Sequence, residues 1–417
     1  MKRFALFIYL CLTAPLVWSE NGIKIIVNAG SFDRMDCTVS AVIQGWDIID
    51  DGFSVELTET TTGLPQEQIP CQLIMENGNI PTLYWILKGN TPAGSSRTFT
   101  AQIIKKNPSS GYSMRVQDVS DALILKKNET PVLHYHYAII PPPPGVDKSY
   151  ERSGFLHPVY SPSGFVLTAI QPEDHYHHFG IWNPWTRMEY DSAVYDLWNI
   201  GDKQGTVRAQ SIASVLEGNV LSGFIAVLNH VIFTPEEEKN IMTEHWNVRT
   251  WNVPDGFLWD FDSHLFPATS LPVTMKEYRY GGFIYRATEQ WTKDNCEVVS
   301  SEGLPRRLID GSTARWIYTT GETESGRSGI LFLGHPDNVN APQPLRIWDE
   351  DANNGRGDVF INFAPSKFAD WKLEPYRDYR LRYRIYTFDG VMTDELANRL
   401  WNDFAEPPTV EVILPDS

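Results

Sequence analysis

A short run of the chain, Asp174-His175-Tyr176-His177-His178, places three histidines beside an acid. Histidine titrates near neutral pH and can act as a general acid or base, and its imidazole also binds zinc, copper or iron. On a strand, alternate side chains share a face, so His175 and His177 would point the same way. His134 and His136 repeat this spacing. These residue types leave acid/base catalysis and metal binding both open.

Aromatic residues follow the histidine run closely. Trp182, Trp185, Tyr190, Tyr195 and Trp198 lie within seventeen residues and alternate with polar residues. Aromatic rings can stack on the apolar faces of sugars, although large aromatics also dominate protein cores. The interleaving with polar residues favours a partly open cleft.

Other residues add to the candidates for a site. Asp260 and Asp262 would share one face of a strand, and glycoside cleavage uses paired carboxylates, although solvated surface acids are commoner. Arg286 follows two glycines closely and could clamp an anion or a hydroxyl group. Lys203 lies at the tip of one predicted turn, and His335 is displayed by another.

The elements that must position these residues are predicted to be mostly strands. We expect an N-terminal β-sandwich accessory domain over residues 20–128 and a larger antiparallel β-sandwich over 129–417. A galactose-mutarotase-like supersandwich is the specific form considered for the second domain. A helix is predicted from the N-cap Thr393 to Phe404. The strands predicted for the first domain are Ile23–Val27, Thr38–Ile43, Phe53–Thr58, Thr82–Leu87 and Thr98–Ile104.

The start of the chain has the pattern of a secretory signal peptide. Met1–Arg3 is basic, residues 4–18 are almost wholly apolar, and small residues surround Ser19. We expect cleavage after Ser19 and a periplasmic or secreted protein that does not insert into a membrane. The net charge of −17 becomes −19 when Lys2 and Arg3 are removed. Such acidity argues against nucleic acid as a partner.

The cysteines set limits on bonding and cofactors. Cys37, Cys71 and Cys296 remain after removal of the signal peptide. A disulfide between Cys37 and Cys71 and simple burial of both are equally compatible with the sequence. No CxxC motif is present, so a cysteine-based zinc site is not expected. We expect no metal and no cofactor, and the sequence indicates no oligomeric state.

Several motifs of the second domain resemble, in the same order, those of the bacterial family labelled PmoA-like. That family usually has Phe where Leu197 stands, and the resemblance covers about residues 130–390. The motifs are Ser153-Gly154-Phe155-Leu156-His157-Pro158, Ser161-Pro162-Ser163-Gly164, the histidine run with Gly180-Ile181-Trp182, Asp196-Leu197-Trp198, Tyr280-Gly281-Gly282-Phe283 with Arg286, and Gly334-His335-Pro336.

The family label refers to methane monooxygenase, a membrane-embedded copper enzyme, and a chain without a predicted transmembrane helix does not fit that activity. The resemblance instead implies an exported β-sandwich protein of bacteria that use plant or algal polysaccharides. The positions it highlights are His157, His175, His177, His178, Trp182, Asp196, Trp198, Arg286 and His335.

Three functions are compatible with these residues. The first is a carbohydrate-active hydrolase or lyase with a carbohydrate substrate, and the alternatives are a non-catalytic glycan-binding protein and a His-liganded metal oxidoreductase. In the first, His177 or His178 is the acid/base, Asp196 is its partner or a substrate ligand, and His335 is a further catalytic residue that would also bind substrate. The residues expected to bind substrate are His157, His175, Trp182, Trp198, Lys203 and Arg286. Convergence of His157, His177, His178, Arg286 and His335 in one pocket would support this function.

Overall fold

The computed structural model describes residues 22–43, 53–63, 65–76, 80–105 and 111–414. Strands dominate these ranges and helices are few, so the predicted mostly β fold is confirmed. The predicted signal peptide, residues 1–19, lies outside the described residues. No helix in the described ranges is long and apolar enough to cross a bilayer.

The elements are numbered in chain order over the described residues. The strands are β1 (Ile23–Asn28), β2 (Arg34–Val42), β3 (Phe53–Glu59), β4 (Glu67–Ile69), β5 (Cys71–Glu76), β6 (Ile80–Thr91), β7 (Ser96–Lys105), β8 (Met114–Asp118), β9 (Ala122–Lys127), β10 (Thr130–His136), β11 (Phe155–Val159), β12 (Ile181–Trp182), β13 (Met188–Tyr190), β14 (Ala193–Tyr195), β15 (Gly205–Leu216), β16 (Leu221–Phe233), β17 (Glu238–Trp251), β18 (Phe257–Pro267), β19 (Val273–Met275), β20 (Phe283–Arg286), β21 (Cys296–Ser300), β22 (Trp316–Thr323), β23 (Gly326–Gly334), β24 (Leu345–Ile347), β25 (Phe360–Phe363), β26 (Trp371–Leu373), β27 (Tyr379–Asp389) and β28 (Thr409–Ile413). The helices are α1 (Arg306–Ile309), α2 (Ala352–Gly355) and α3 (Asp394–Ala405), with 3-10 turns at Lys148–Tyr150 and Ile200–Asp202.

The N-terminal unit is a small sandwich of two sheets. One sheet has the strand order β28-β1-β7-β3-β4, and the other has the order β2-β6-β5. Ile25, Val27, Trp85 and Phe99 are buried between them. The alternation of apolar and polar residues that predicted the five strands also places these side chains inside. All five predicted strands are confirmed, and each lies within or overlaps an observed one.

Two eight-stranded sheets form the larger sandwich. The front sheet has the order β24-β25-β20-β12-β11-β10-β9-β8, and the back sheet has the order β15-β16-β17-β18-β27-β23-β22-β21. Leu156 and Ile181 of the front sheet pack against Trp246 and Phe261 of the back sheet. Because neighbouring residues point to opposite faces, Phe155 and its equivalents on other strands lie on the outer face of the front sheet, in a second apolar cluster.

The boundary between the two units differs from the predicted one. β8 pairs with β9, and β9 pairs with β10, so both belong to the front sheet although they precede residue 128. β28, near the other end of the chain, pairs with β1 in the N-terminal unit. The histidines of this chain begin only after residue 130, and strand pairing does not follow this change in composition.

Helix α3 confirms the predicted C-terminal helix. The hydroxyl of Thr393 accepts a hydrogen bond from the backbone N–H of Leu396, as expected of an N-cap. Leu400 and Phe404 pack on the outer face of the back sheet. A buried ion pair joins the helix to the N-terminal unit, with 2.9 Å between Nη1 of Arg34 and Oδ1 of Asp403. The helix therefore connects both units.

Among the described residues Cys37, Cys71 and Cys296 are free, so the Cys37–Cys71 disulfide is not formed; Cys37 is buried and Cys71 is half-buried. Cys37 pairs with Leu87 and Cys71 pairs with Trp85, on opposite sides of β6. Two strand spacings amount to about 10 Å, whereas the Cα atoms of a disulfide lie within about 7 Å. Burial raises the pKa of the Cys71 thiol to about 12.

Candidate functional site

The histidine run forms two successive turns, so its predicted strand conformation is wrong. The N–H of His175 donates to the carbonyl of Pro172 (2.9 Å), and the N–H of His178 donates to the carbonyl of His175 (3.0 Å). Gly180, which follows, has a φ of 61°, a left-handed conformation that suits glycine. A turn-forming proline before the run and this glycine after it interrupt the strand pattern.

The turns bring all three imidazoles together. The ring centroids of His175 and His178 are 4.6 Å apart in a stacked arrangement, and those of His177 and His178 are 4.7 Å apart and nearly perpendicular. A strand would have placed His178 on the face opposite His175 and His177. The three histidines therefore form one cluster on the outer face of the front sheet.

An acid and an arginine extend this cluster. Nδ1 of His175 donates to Oδ2 of Asp174 at 2.8 Å. Nη2 of Arg286 lies 3.7 Å from the same oxygen and 3.0 Å from Oδ2 of Asp358. Burial acts to raise the pKa of Asp174, but the hydrogen bond from His175 and the charge of Arg286 outweigh it and hold this pKa below its usual value. Asp174 is therefore ionised at neutral pH and fixes the tautomer of His175.

Arg286 is almost fully buried beneath the cluster. Its side chain is 1% exposed, and its guanidinium lies 4.9 Å above the centre of the Trp348 ring. Over the described part of the chain, Nε and Nη1 have no hydrogen-bond partner. Both nitrogens are also sealed from solvent, so they stay without a partner at a cost in free energy. The predicted grouping of Arg286 with His177 and His178 is found.

The tryptophans predicted to stack on sugar serve mainly as packing. Trp182 is fully buried and Trp198 is 3% exposed, and both contact the ring of His178, itself 2% exposed. Their rings therefore support the histidines from below, which leaves little of either face for a ligand. Partly exposed aromatic surface near the cluster comes from Tyr176 and Tyr280.

Burial controls the protonation of the inner histidines. It lowers the pKa of His177 to about 4, with the charges of His175, Arg152 and Arg286 acting in the same direction. It also lowers the pKa of His178 well below its usual value, helped by the charges of His177 and Arg286. Both rings are therefore neutral at pH 7, and each offers a nitrogen that can accept a hydrogen bond or a proton.

Asp196 holds a turn and does not partner a histidine. Its Oδ1 accepts hydrogen bonds from the backbone N–H groups of Trp198 and Asn199, both at 2.8 Å. Its Oδ2 accepts from the side-chain amide of Asn199 at 2.6 Å. The hypothesis that Asp196 assists an acid/base histidine is therefore not supported by its contacts. The Asp-x-Trp spacing reflects a side-chain-to-backbone turn.

The expected convergence of five residues is found only in part. Nδ1 of His157 lies 2.8 Å from the hydroxyl of Thr168, and its charged neighbours are His134 and His136 rather than the histidine run. His335 follows β23 of the back sheet, where its Nε2 lies 2.8 Å from Nη1 of Arg382. Because sequence motifs carry no information on sheet membership, the separation of His335 from the cluster could not be foreseen.

Comparison with known proteins places this site within a described family. The Family of unknown function (DUF6807) matches residues 122–402 of the chain. The chain belongs to this family. The match begins at the first residue of β9 and ends within α3, so the DUF6807 region contains the histidine cluster and Arg286 but excludes most of the N-terminal unit.

Other comparisons add little to the family assignment. No curated protein matches the chain. Among solved structures, the crystal structure of Acinetobacter baumannii OccAB4 is aligned over 90% of this chain and 98% of that chain. The identity is 7% and the TM-score is 0.14, a likeness that carries no argument about fold or function.

Two residues of the DUF6807 region that complete the cluster were missed from the sequence. Trp348 contacts the rings of His175 and His178, with centroids 4.9 and 5.6 Å away. Asp358 accepts from Arg286 and from the side-chain amide of Asn353. A tryptophan directly before the acidic residues 349–351 was the only signal in the sequence, and on its own it indicates nothing specific.

Two other acids of the DUF6807 region, Asp260 and Asp262, have arginine partners. Asp260 and Asp262 do share the outer face of the back sheet, as predicted for a strand, but arginines of β27 face them. Nε of Arg384 lies 2.6 Å from Asp260, and Nη2 of Arg380 lies 2.6 Å from Asp262. These arginine partners give both carboxylates a structural role and remove the need for a catalytic explanation.

A further acid, Glu244, lies in a closed polar cluster between the two sheets. It accepts hydrogen bonds from Asn183 (2.5 Å) and Ser263 (2.5 Å), and Nε2 of His230 lies 2.8 Å away. Glu244 and His230 are both 0% exposed, so this cluster joins the sheets and offers no access to substrate.

The described residues provide no set of side chains arranged to bind a metal ion. Among the residues with described coordinates, no group of three or more His, Cys, Asp or Glu side chains is arranged to hold a metal ion. The His-liganded oxidoreductase therefore stays a hypothesis, and metal analysis of protein purified without a histidine tag tests it.

Proposed function

We propose that this protein is an exported carbohydrate-active enzyme, a hydrolase or lyase, in which His175 is the general acid/base and Asp174 orients it. The observation that carries the proposal is the hydrogen-bonded pair Asp174–His175, which lies at the surface next to buried aromatic rings. Support for export comes from the composition of residues 1–19 and from the resemblance to the PmoA-like family, which also suggests polysaccharide as the substrate.

His175 has the arrangement that an acid/base histidine requires. Its side chain is 30% exposed, and Nδ1 is committed to Asp174. Nε2 has no partner within the described ranges, so it is the nitrogen available to a ligand. An ionised carboxylate behind Nδ1–H both orients the ring and stabilises the imidazolium formed when Nε2 takes a proton.

The proposed step transfers one proton from water or from substrate to the leaving group. In hydrolysis, Nε2 of His175 removes a proton from water, the hydroxide oxygen bonds to the anomeric carbon as the glycosidic C–O bond breaks, and the proton passes from His175 to the departing oxygen. In the lyase reaction, Nε2 removes the proton from a ring carbon beside a carboxylate, the electron pair of that C–H bond forms a C=C bond as the C–O bond on the neighbouring carbon breaks, and the proton passes to the departing oxygen. His177, neutral at pH 7, accepts a hydrogen bond from a sugar hydroxyl.

The rest of the cluster suits a polar, ring-shaped ligand. Tyr176 and Tyr280 supply partly exposed rings that can contact the face of a sugar ring. These roles replace the earlier assignment of acid/base chemistry to His178 and of stacking to Trp182 and Trp198.

The test is polysaccharide cleavage by the purified chain from residue 20. Plant and algal polysaccharides are incubated with the protein, and reducing ends and the ultraviolet absorbance of unsaturated products are measured. Loss of His175 in H175A is expected to lower the rate about 10²–10⁴-fold, since positioned acid/base groups contribute that much. D174N is expected to lower it less, because the ring keeps its place but loses its ionised partner.

His264 provides the matched control. Its Nδ1 also lies 2.8 Å from a carboxylate, that of Asp378, and its side chain is 26% exposed, but it lies on the back sheet. H264A should retain the wild-type rate. Equal rates for H175A and wild type would refute the proposal, and glycan binding without product from any polysaccharide would favour the non-catalytic alternative.

A further inference from the structure

Two loops beside the histidine cluster carry arginines that pack over tyrosine rings. The loop before β13 lies next to the loop before β20, since the hydroxyl of Thr186 donates to the carbonyl of Tyr280 at 2.7 Å. Cζ of Arg187 lies 5.1 Å from the ring centre of Tyr278. Cζ of Arg279 lies 5.2 Å from the ring centre of Tyr280. These two arginines and two tyrosines are called the tyrosine–arginine strip below.

Trp348 connects the strip to the histidine cluster. Its ring centroid lies 4.9 Å from that of His175, and its Nε1 donates to the hydroxyl of Tyr280 at 3.3 Å. The ring centroids of Tyr280 and Tyr278 are 6.1 Å apart. A row of rings therefore leads from the proposed acid/base histidine to the two arginines.

The two guanidinium groups of the strip are exposed to solvent. Within the ranges that the structure describes, neither Arg187 nor Arg279 forms an ion pair with an acid. Glu189, two residues after Arg187, pairs instead with Lys276 at 3.4 Å. Glu277 is also exposed and forms an ion pair with neither arginine. The strip is therefore a locally positive surface on a chain whose net charge is −17.

Packing over a ring suits these arginines to bind an anion. A guanidinium that lies over an aromatic ring still has N–H groups at its edge, in the plane of the group. Carboxylate and sulfate oxygens can accept two parallel hydrogen bonds from such a planar fork. The tyrosine ring also limits the positions open to the long side chain, so less conformational freedom is lost when a ligand binds.

Other cations near the cluster already have acidic partners. Arg346 also lies over the ring of Tyr280, but its Nη1 is 3.2 Å from Oδ2 of Asp310. Nζ of Lys203, which the sequence predicted to bind substrate, lies 2.9 Å from Asp147. The prediction for Lys203 is therefore not supported by its contacts, and the strip provides the cations better placed for an anionic ligand.

We propose that the tyrosine–arginine strip binds the acidic groups of an anionic polysaccharide, with Arg279 and Arg187 contacting carboxylate or sulfate groups on neighbouring sugars. A chain with one sugar at His175 would extend along the strip, because the row of rings begins beside that histidine. This inference rests on the proposed function for a polysaccharide ligand and adds the chemical class of that ligand.

Calorimetric titration of the H175A chain from residue 20 tests the strip, because this variant should bind a substrate without consuming it. The probes are an oligogalacturonate, a sulfated carrageenan oligosaccharide and a neutral cello-oligosaccharide of similar length. An acidic probe is expected to bind roughly 10-fold more tightly than the neutral one, since each exposed charge contact contributes a few-fold, and added salt should weaken it. Tighter binding of oligogalacturonate would identify carboxylate as the recognised group, and tighter binding of the carrageenan probe would identify sulfate.

Further substitutions in the H175A chain test the two arginines directly. R187Q and R279Q should each weaken binding of the preferred acidic probe about 3- to 5-fold, as for loss of an exposed ion pair, and leave binding of the neutral probe unchanged. R279K keeps the charge without the planar fork, so its affinity should fall between those of R279Q and the unchanged strip. R380Q removes an equal charge from an exposed arginine of the back sheet and should have no effect.

Equal or undetectable binding of the acidic and neutral probes would overturn the inference, as would unchanged affinity in the double variant R187Q/R279Q. Both side chains are exposed, so these substitutions leave the core intact. Preferential binding of an acidic probe, with no polysaccharide cleaved by the wild type, would refute the proposed function and support the strip. Cleavage by the wild type without preferential binding of an acidic probe would do the reverse.

Discussion

At the scale of single residues, Asp196 illustrates an acid whose oxygens are fully used by its own turn. Replacement by Ala is expected to lower the free energy of unfolding by about 1–2 kcal/mol, because the N–H groups of Trp198 and Asn199 lose their acceptor. D196N keeps an acceptor oxygen, so its free energy of unfolding should fall by much less than that of the Ala variant. Urea denaturation measures both variants.

The exposed acid Asp202 supplies the comparison for Asp196. D202A should change the free energy of unfolding by less than about 0.5 kcal/mol, since most exposed substitutions do. Loss of polysaccharide cleavage in D196N with unchanged stability would contradict the turn role and restore Asp196 as a site residue.

The sequence pattern correctly grouped those site residues that lie close together along the chain. His177 and His178 contact each other because one turn contains both, and the same run adds Asp174 and His175. Sequence could not show that His178 is buried by Trp348, because that contact depends on a loop about 170 residues away. Nor could it place His335 on the back sheet, since only long-range strand pairing decides this.

At the scale of elements, α3 connects the two units through one buried ion pair. D403A leaves the guanidinium of Arg34 without its carboxylate and is expected to cost about 3–5 kcal/mol. The double variant R34M/D403L should lose less, since apolar side chains of similar size remove both charges together. Chemical denaturation of the single and double variants measures the difference.

A matched exposed pair separates burial from charge in this experiment. Lys372 and Glu374 lie 2.9 Å apart and are about half exposed, so E374A should cost less than about 1 kcal/mol. A similarly small loss for D403A would show that the ion pair adds little to the packing of Leu400 and Phe404 in holding α3.

Elements differed in how far the sequence could specify them. The helix was predictable because its cap and its apolar spacing are local signals. Membership of the front or back sheet was not predictable, because it depends on pairing between strands distant in the sequence, such as β20 with β25 and β18 with β27. The return of β28 to β1 joins residues almost 390 positions apart, and no local signal reports it.

At the scale of the whole molecule, buried histidines make stability depend on pH. Burial lowers the pKa of His134, His157, His177 and His335 to about 4 from an ordinary 6.5. Between these values the unfolded chain binds protons that the folded chain does not. The stabilisation is therefore complete above about pH 6.5 and is lost as the pH falls towards 4.

The free energy of unfolding should thus be clearly lower at pH 5 than at pH 7. In H157Q the drop should be smaller by roughly 1 kcal/mol, because one buried titrating group is gone. Urea denaturation at both pH values measures it. Equal stability of the wild type at pH 5 and pH 7 would show that the histidines are less buried in solution.

The pairing of β1 with β28 has a mechanical consequence. Lys24 faces Ile413 at one end of this antiparallel pair, so the two ends of the described chain leave the fold at the same corner. Tension applied between them would load the hydrogen bonds between the two strands one after another, in an unzipping geometry with low resistance. The N-terminal unit would yield first under such a force, while the front sheet, whose outer face carries the histidine cluster, would still be intact.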